Sequence, residues 1–316
     1  MAVTRTTEVT VVDLTVEHHA PPRVSRADRQ VGHPHPHPLP LLRPGPRLRA
    51  AFVLTAVLIG LMVVQAALGL FVDGLYPEEP WAVAALRGND LVTLVLVAPL
   101  LAGATFLTGS RPSTASVVVW LGLLFYGVYN YAYYAFGAAF SDVFLLHVAA
   151  LAVSVYALLM AGTSIEVRGV AAGVRGGPWA RAVAVFTTLV GAALIGAWGT
   201  MSLRFAITGE LPEDVMPPSA VHLVYALDMA VLAPVFVLGG VLLWRRLPWG
   251  SVLAAAVNVS GAAYLTVLWF VGGFQANAGI DGKTWASPVA IGAVLLCLAA
   301  ALVLLLPART HHDRAG

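Results

Sequence analysis

AAFVLTAVLIGLMVVQAALGLFV, Ala50 to Val72, contains no charged residue and only two polar side chains, Thr55 and Gln65. About 20 such residues cross the hydrocarbon core of a bilayer as one helix. Seven comparable runs follow, so the spacing predicts eight spans at 50–72, 91–109, 116–137, 144–162, 182–206, 221–244, 251–275 and 288–307. The whole chain agrees with this reading. It has 316 residues, 59% of them hydrophobic and 11% charged, and its mean hydropathy is +0.83. A water-soluble domain carries about a quarter charged residues. The expected fold class is therefore all-α, a polytopic membrane protein, and the lipid bilayer is its first partner.

Arginines choose the orientation. Arg43, Arg47 and Arg49 precede span one, Arg111 follows span two, and Arg168, Arg175 and Arg181 lie between spans four and five. Arg245 and Arg246 join six to seven, and Arg309 and Arg314 follow eight. The alternate loops hold Asp73, Glu78, Glu79, Asp142, Glu210, Glu213, Asp214 and Asp281. Positive loops stay inside, which places both termini in the cytoplasm. Apart from Lys283 every basic residue is Arg, a bias that resembles Ala- and Arg-rich chains of high-GC bacteria, so a bacterial plasma membrane is expected. The net charge of +2 is spread over loops and implies no nucleic-acid partner.

Residues 1–49 differ in kind. HPHPHPLP (His33 to Pro40) and RPGPRLR (Arg43 to Arg49) have no apolar period, and alternating proline denies them a core. They are expected to form a disordered cytoplasmic tail, with an uncleaved first helix after it. His33, His35 and His37 have no scaffold to fix a metal geometry. The remaining organisation is a first transmembrane half at 50–162, a cytoplasmic linker at 163–181, a second half at 182–307 and a tail at 308–316.

The two halves resemble each other. FVDGLYPEEP (Phe71 to Pro80) and FAITGELPEDVMPP (Phe205 to Pro218) both run from an aromatic through glycine and proline to paired acids and proline. From those last prolines, PWAVAALRGNDL runs without gaps beside PSAVHLVYALDM, and Asp90 falls opposite Asp228. A four-plus-four tandem duplication follows. An even number of spans per half keeps the halves parallel.

The acid in VHLVYALDMAVLAPVF (Val221 to Phe236) is the least expected residue in the chain. Asp228 lies about seven residues, or about 10 Å, inside the outer end of span six. A carboxylate at that depth costs a few kcal/mol and marks a functional site facing the bundle interior. Its structural alternative is an ion pair with Arg204. Asp90 and Asp142 each have a competing role as a helix N-cap. His222, Tyr225 and Asp228 recur every third residue as a ridge, and His147 opens span four at similar depth. Asp90, His147, Arg204, His222 and Asp228 are expected to line one outward-opening polar pocket. YGVYNYAYYAFG (Tyr126 to Gly137) adds Tyr126, Asn130 and Tyr133 as candidate wall residues, against an aromatic belt with Asn130 in a helix-packing hydrogen bond. Gln65, Asn258 and Tyr264 invite the same two readings.

Other features exclude chemistries. Lys283 sits in a loop, where it cannot form a retinal Schiff base within the bundle. No phosphate-binding glycine loop precedes a lysine, and no HExxH or other close His pair falls within a span. Cys297 is the only cysteine, which rules out an intramolecular disulfide. No cofactor is expected. Three functional classes stay open. The first is a proton- or cation-coupled transporter of a small solute. The second is a membrane sensor or assembly partner with structural acids. The third is a membrane enzyme or redox protein using His147, His222 and Asp228. The substrate, the protein partners and the oligomeric state are not encoded in any motif.

Overall fold

The computed structural model describes residues 39–210, 218–280 and 288–306. The His-Pro tract, Glu213, Asp214, Asp281, Lys283, Arg309 and Arg314 lie outside the described residues. Regular structure among the described residues is helical: α1 (Pro46–Phe71), α2 (Pro80–Val92), α3 (Ala98–Ser110), α4 (Thr114–Gly137), α5 (Phe144–Ser164), α6 (Val167–Ala172), α7 (Pro178–Thr208), α8 (Pro218–Leu227), α9 (Ala233–Trp244), α10 (Pro248–Asn277) and α11 (Pro288–Leu305). Two π-helical segments, Thr93–Val97 and Asp228–Leu232, join α2 to α3 and α8 to α9 without a break.

Six of these helices begin at a proline, which has no N–H to leave unpaired and a φ already suited to the first turn. The chain starts α4 differently, with a reciprocal cap. Ser113 Oγ accepts the Ser116 N–H while Ser116 Oγ accepts the Ser113 N–H. Span two was expected from residue 91, yet its helix begins at Pro80. Asp90 is therefore buried inside a continuous helix and does not cap one. Asp142 is no cap either, because Val143 occupies that position without a side-chain hydrogen bond. Residues 39–49, expected in the tail, are ordered against the α5–α6 turn. Leu42 bridges Ile165, the Arg43 N–H donates to the Ser164 carbonyl, and Arg43 Nε meets Glu166 at 2.8 Å.

The π segments have a local cause. Pro99 and Pro234 cannot donate to the carbonyls four residues back, and their rings push those carbonyls aside. The ladder widens, so the Ala98 N–H reaches the Thr93 carbonyl and the Ala233 N–H reaches the Asp228 carbonyl.

Seven helices are long and apolar enough to cross a membrane, counting each π-interrupted pair as one, and α11 adds a further 18-residue apolar helix. Large apolar side chains such as Val57, Val64, Leu189, Ile195, Leu203 and Leu302 face outward. Water would not tolerate so continuous an apolar surface. The chain is an integral membrane protein.

Helix α4 lies at the centre and is the most buried of the spans. It packs on α3 and α5 and also on α10, while α10 packs on α2, α4, α9 and α11. α1 meets α2 and α5, and α7 meets α9 and α11. The α4–α10 seam is backbone-tight, since a Cβ on Gly122 would stand 2.6 Å from the Ala256 carbonyl oxygen. Gly122→Leu is accordingly expected to lower the thermal midpoint in detergent, by overpacking worth about 1–3 kcal/mol. Gly60→Leu, with open space around it, is the control that leaves the midpoint in place.

Candidate functional site

The two span acids and the tyrosines of α4 meet in the bundle interior. Asp90 is 0% exposed and Asp228 is 1% exposed. Among the described residues neither forms a salt bridge. Asp90 receives three donors: Gln65 Nε2 to Oδ1 at 2.7 Å, the Tyr134 hydroxyl to Oδ1 at 2.7 Å and the Tyr76 hydroxyl to Oδ2 at 2.7 Å. Gln65 Nε2 also donates to the Tyr76 oxygen at 3.0 Å, and Tyr131 donates to Gln65 Oε1 at 3.3 Å. Gly69 makes this arrangement possible, because a Cβ there would overlap Asp90 Oδ2 and the Tyr76 hydroxyl.

Asp228 has its own set. The Tyr129 hydroxyl donates to Oδ1 at 2.6 Å and Trp198 Nε1 to Oδ2 at 2.8 Å. The Tyr264 hydroxyl lies 3.3 Å from that of Tyr129. Trp198 stacks on Tyr225 with ring centroids 4.2 Å apart. The ridge read from the sequence therefore runs inward, from exposed His222 through the buried Tyr225 to Asp228. Between the two acids, Asn89 Nδ2 donates to Asn130 Oδ1 at 2.7 Å, and Asn89 Oδ1 accepts from Thr93 and from Tyr126. Asn130 Nδ2 and His147 Nε2 are buried with no partner among the described residues.

Several expectations change. Arg204 is exposed and faces Glu210 at 3.5 Å, so it does not pair with Asp228. With both partners in solvent that pair contributes little. His222 is exposed, and the five proposed pocket residues do not converge. Asp90 and His147 flank Tyr134, whose ring lies 4.8 Å from the imidazole, while Asp228 forms a separate cluster across α4. In place of an open pocket, both carboxylates are closed over. Tyrosine hydroxyls and an indole N–H occupy the positions where water would reach them. The aromatic-belt reading fails for Tyr126, Tyr129 and Tyr134, because α4 is central and its hydroxyls point to buried partners. Tyr133 packs edge-on against Tyr134.

Trp198, Tyr76 and Asn89 were not singled out from the sequence. Trp198 had no signal in the repeat, since the position that matches Gln65 relative to the exit aromatic is Gly199. Tyr76 had none, being one aromatic in a loop. Outside the spans, burial raises the Tyr76 hydroxyl well above its usual range, with Asp90 adding to the shift, so it stays a donor. Burial likewise raises the Glu78 carboxyl, against the Ala139 N–H that favours its charged form.

The carboxylates face O–H and N–H donors, which satisfy their oxygens without a salt bridge. Among the described residues no three His, Cys, Asp or Glu side chains group as a metal site. Comparisons with protein-family models, curated proteins and solved structures give no match.

Proposed function

We propose that this chain is an eight-span protein of a bacterial plasma membrane, with both termini cytoplasmic, that couples proton binding at Asp228 to movement of a small solute. Two parallel four-helix halves would rock about the α4–α10 seam, with α11 as the eighth span. Support for the halves comes from packing. In each half the first helix meets the second and fourth, and the third meets the second and fourth. Across the seam α4 meets α10, α2 meets α10 and α4 meets α8, which is the pattern a two-fold axis along the membrane normal would produce. One polar bridge recurs between the first and third helices. Trp120 Nε1 donates to Thr55 Oγ1 at 3.2 Å, and Asn258 Nδ2 donates to Thr187 Oγ1 at 2.8 Å. Support for orientation comes from the ends. Arg43 meets Glu166 and the Arg175 N–H meets the Leu304 carbonyl at one end, while Glu78 meets the Ala139 N–H at the other.

The observation that carries the proton reading is the pairing, in both halves, of a π segment with a buried acid that forms no salt bridge among the described residues. Asp228 begins its segment and Asp90 lies just before the other. π segments concentrate at functional sites, and a widened turn shifts at lower cost than an ideal helix. Buried acids without a cation partner are the groups that membrane carriers use for protons. The second reading, a sensor or assembly partner with structural acids, draws on the three donors that saturate Asp90. The redox reading finds less support, since His222 is exposed and His147 is buried against Tyr134.

Infrared difference spectra of the reconstituted protein between acidic and alkaline buffer test the proposal. A protonated-carboxyl band is expected in the wild type and in Asp90→Asn, and is expected to vanish in Asp228→Asn. A spectrum that Asp228→Asn leaves unchanged would mean that Asp228 holds its protonation state, and the proton reading would fall.

A further inference from the structure

The segment between α1 and α2, 72–79, closes the Asp90 chamber from the acidic end of the bundle, yet it has almost no backbone support. From Asp73 to Glu79 no N–H donates to another backbone carbonyl among the described residues, and Gly74 turns the chain at φ +74°. Three side chains hold it. Asp73 accepts from Arg87 at 2.8 Å, with the carboxylate almost fully in solvent. Tyr76, only 6% exposed, reaches from the loop to Asp90 and Gln65. Glu78 Oε1 accepts the Ala139 N–H of the α4–α5 turn at 2.7 Å, while its Oε2 is buried without a partner.

This is an economical way to cover a charged group. A loop with few backbone hydrogen bonds opens locally at small cost, and here opening would withdraw a single phenol. Tyr76 also fills its place as a ligand would. Its hydroxyl donates to a carboxylate and accepts from an amide, and its ring fills the space beside Gly69, which has no side chain. With Tyr76 withdrawn, the chamber would present Asp90, Gln65 Nε2 and the Tyr134 hydroxyl. That set suits a small solute with a hydroxyl or protonated amine on an apolar body.

We infer that segment 72–79 is the outer gate of the Asp90 chamber, with Tyr76 as its plug, Glu78 as its latch to the α4–α5 turn, and a hydroxyl- or amine-bearing solute as the occupant that replaces Tyr76. The inference rests on the orientation given above, in which the acidic loops face outward.

The test uses the full chain with Cys297→Ser and a reporter thiol at Met62→Cys, 0% exposed and one helical turn deeper than Gln65 on the same face of α1, so that Gln65, Tyr134 and Asp90 stay in place. A membrane-impermeant methanethiosulfonate reagent is applied to cells, and separately to inside-out vesicles. Slow labelling from outside is expected with the native segment. In Glu78→Ala, which leaves the chamber untouched, labelling should run about tenfold faster, the effect of losing one hydrogen bond to a carboxylate. Tyr76→Ala should accelerate it further, and p-cresol, the missing side chain, should then slow labelling where toluene does not. Equal rates in the native, Glu78→Ala and Tyr76→Ala chains would overturn the gate. Acceleration without p-cresol protection would overturn the hydroxyl-recognising subsite. Acceleration seen only from inside-out vesicles would leave the gate standing and overturn the orientation, so the two failures are distinct.

Discussion

Replacing Asp90 by alanine is expected to lower folding stability by about 3 kcal/mol, with a matching fall in the thermal midpoint in detergent. The carboxylate is the common acceptor for Gln65, Tyr76 and Tyr134, and its loss leaves three donors facing one another. A buried donor without a partner costs roughly 1–3 kcal/mol in water-soluble proteins. In membrane bundles a hydrogen bond averages about 0.6 kcal/mol, because the unfolded chain also finds partners in the bilayer. Three donors therefore bound the loss between about 2 and 9 kcal/mol, and the value sits near the lower end because the chain is a membrane bundle and Tyr76 can swing out to water. Asp90→Asn is the milder change. Its amide oxygen still accepts, and the Tyr76 hydroxyl can turn to accept from the new N–H, for a cost of about 1 kcal/mol. The ordering wild type, Asn, Ala is the checkable outcome in reversible unfolding from mixed micelles. An alanine variant as stable as the wild type would mean that Asp90 does not anchor the α1–α2–α4 contact.

For Asp228 the expected result is the reverse: the fold holds and the function goes. Asp228→Asn keeps the shape of the side chain and one oxygen to accept from Tyr129 or Trp198. One of those two donors then faces an amide N–H, so stability falls by about 1 kcal/mol at most. What the amide cannot do is bind and release a proton. In vesicles carrying an entrapped pH indicator, solutes that the wild-type protein moves together with protons should move in the variant no faster than in protein-free vesicles. Asp228→Glu restores an acid at a displaced position and should recover part of the flux. Full proton-coupled movement in Asp228→Asn, with the folded protein confirmed by its thermal midpoint, would end the carrier proposal. A large stability loss with no change in flux would assign Asp228 a structural role.

The sequence by itself determined everything that depends on neighbours along the chain. Apolar runs long enough to span a bilayer fix the class, because a backbone in lipid must pair its own N–H and C=O groups and a helix does so locally. Prolines at 46, 80, 178, 218, 248 and 288 begin helices, and Pro99 and Pro234 follow the widened turns. These are local signals that the apolar runs alone do not carry, as the start of span two at Pro80 shows. Asp90 and Asp228 stood out because a charge amid apolar residues is expensive wherever the helix goes.

What only the tertiary structure decided is which groups relieve that expense. Asp228 meets Tyr129 and Trp198, far away in the chain, and Asp90 meets a tyrosine from a loop with no distinguishing pattern. Arg204 looked like a natural partner on charge alone, yet α7 presents it to solvent and turns Trp198 inward. The outward pocket read from five polar residues became two sealed clusters because α4 is buried on every side. Periodicity assigns a residue to a helix face. Only the packing of α4 among α2, α5, α8 and α10 sets which carboxylate each tyrosine hydroxyl reaches, since a hydrogen bond requires contact within about 3 Å between segments the sequence does not place in register.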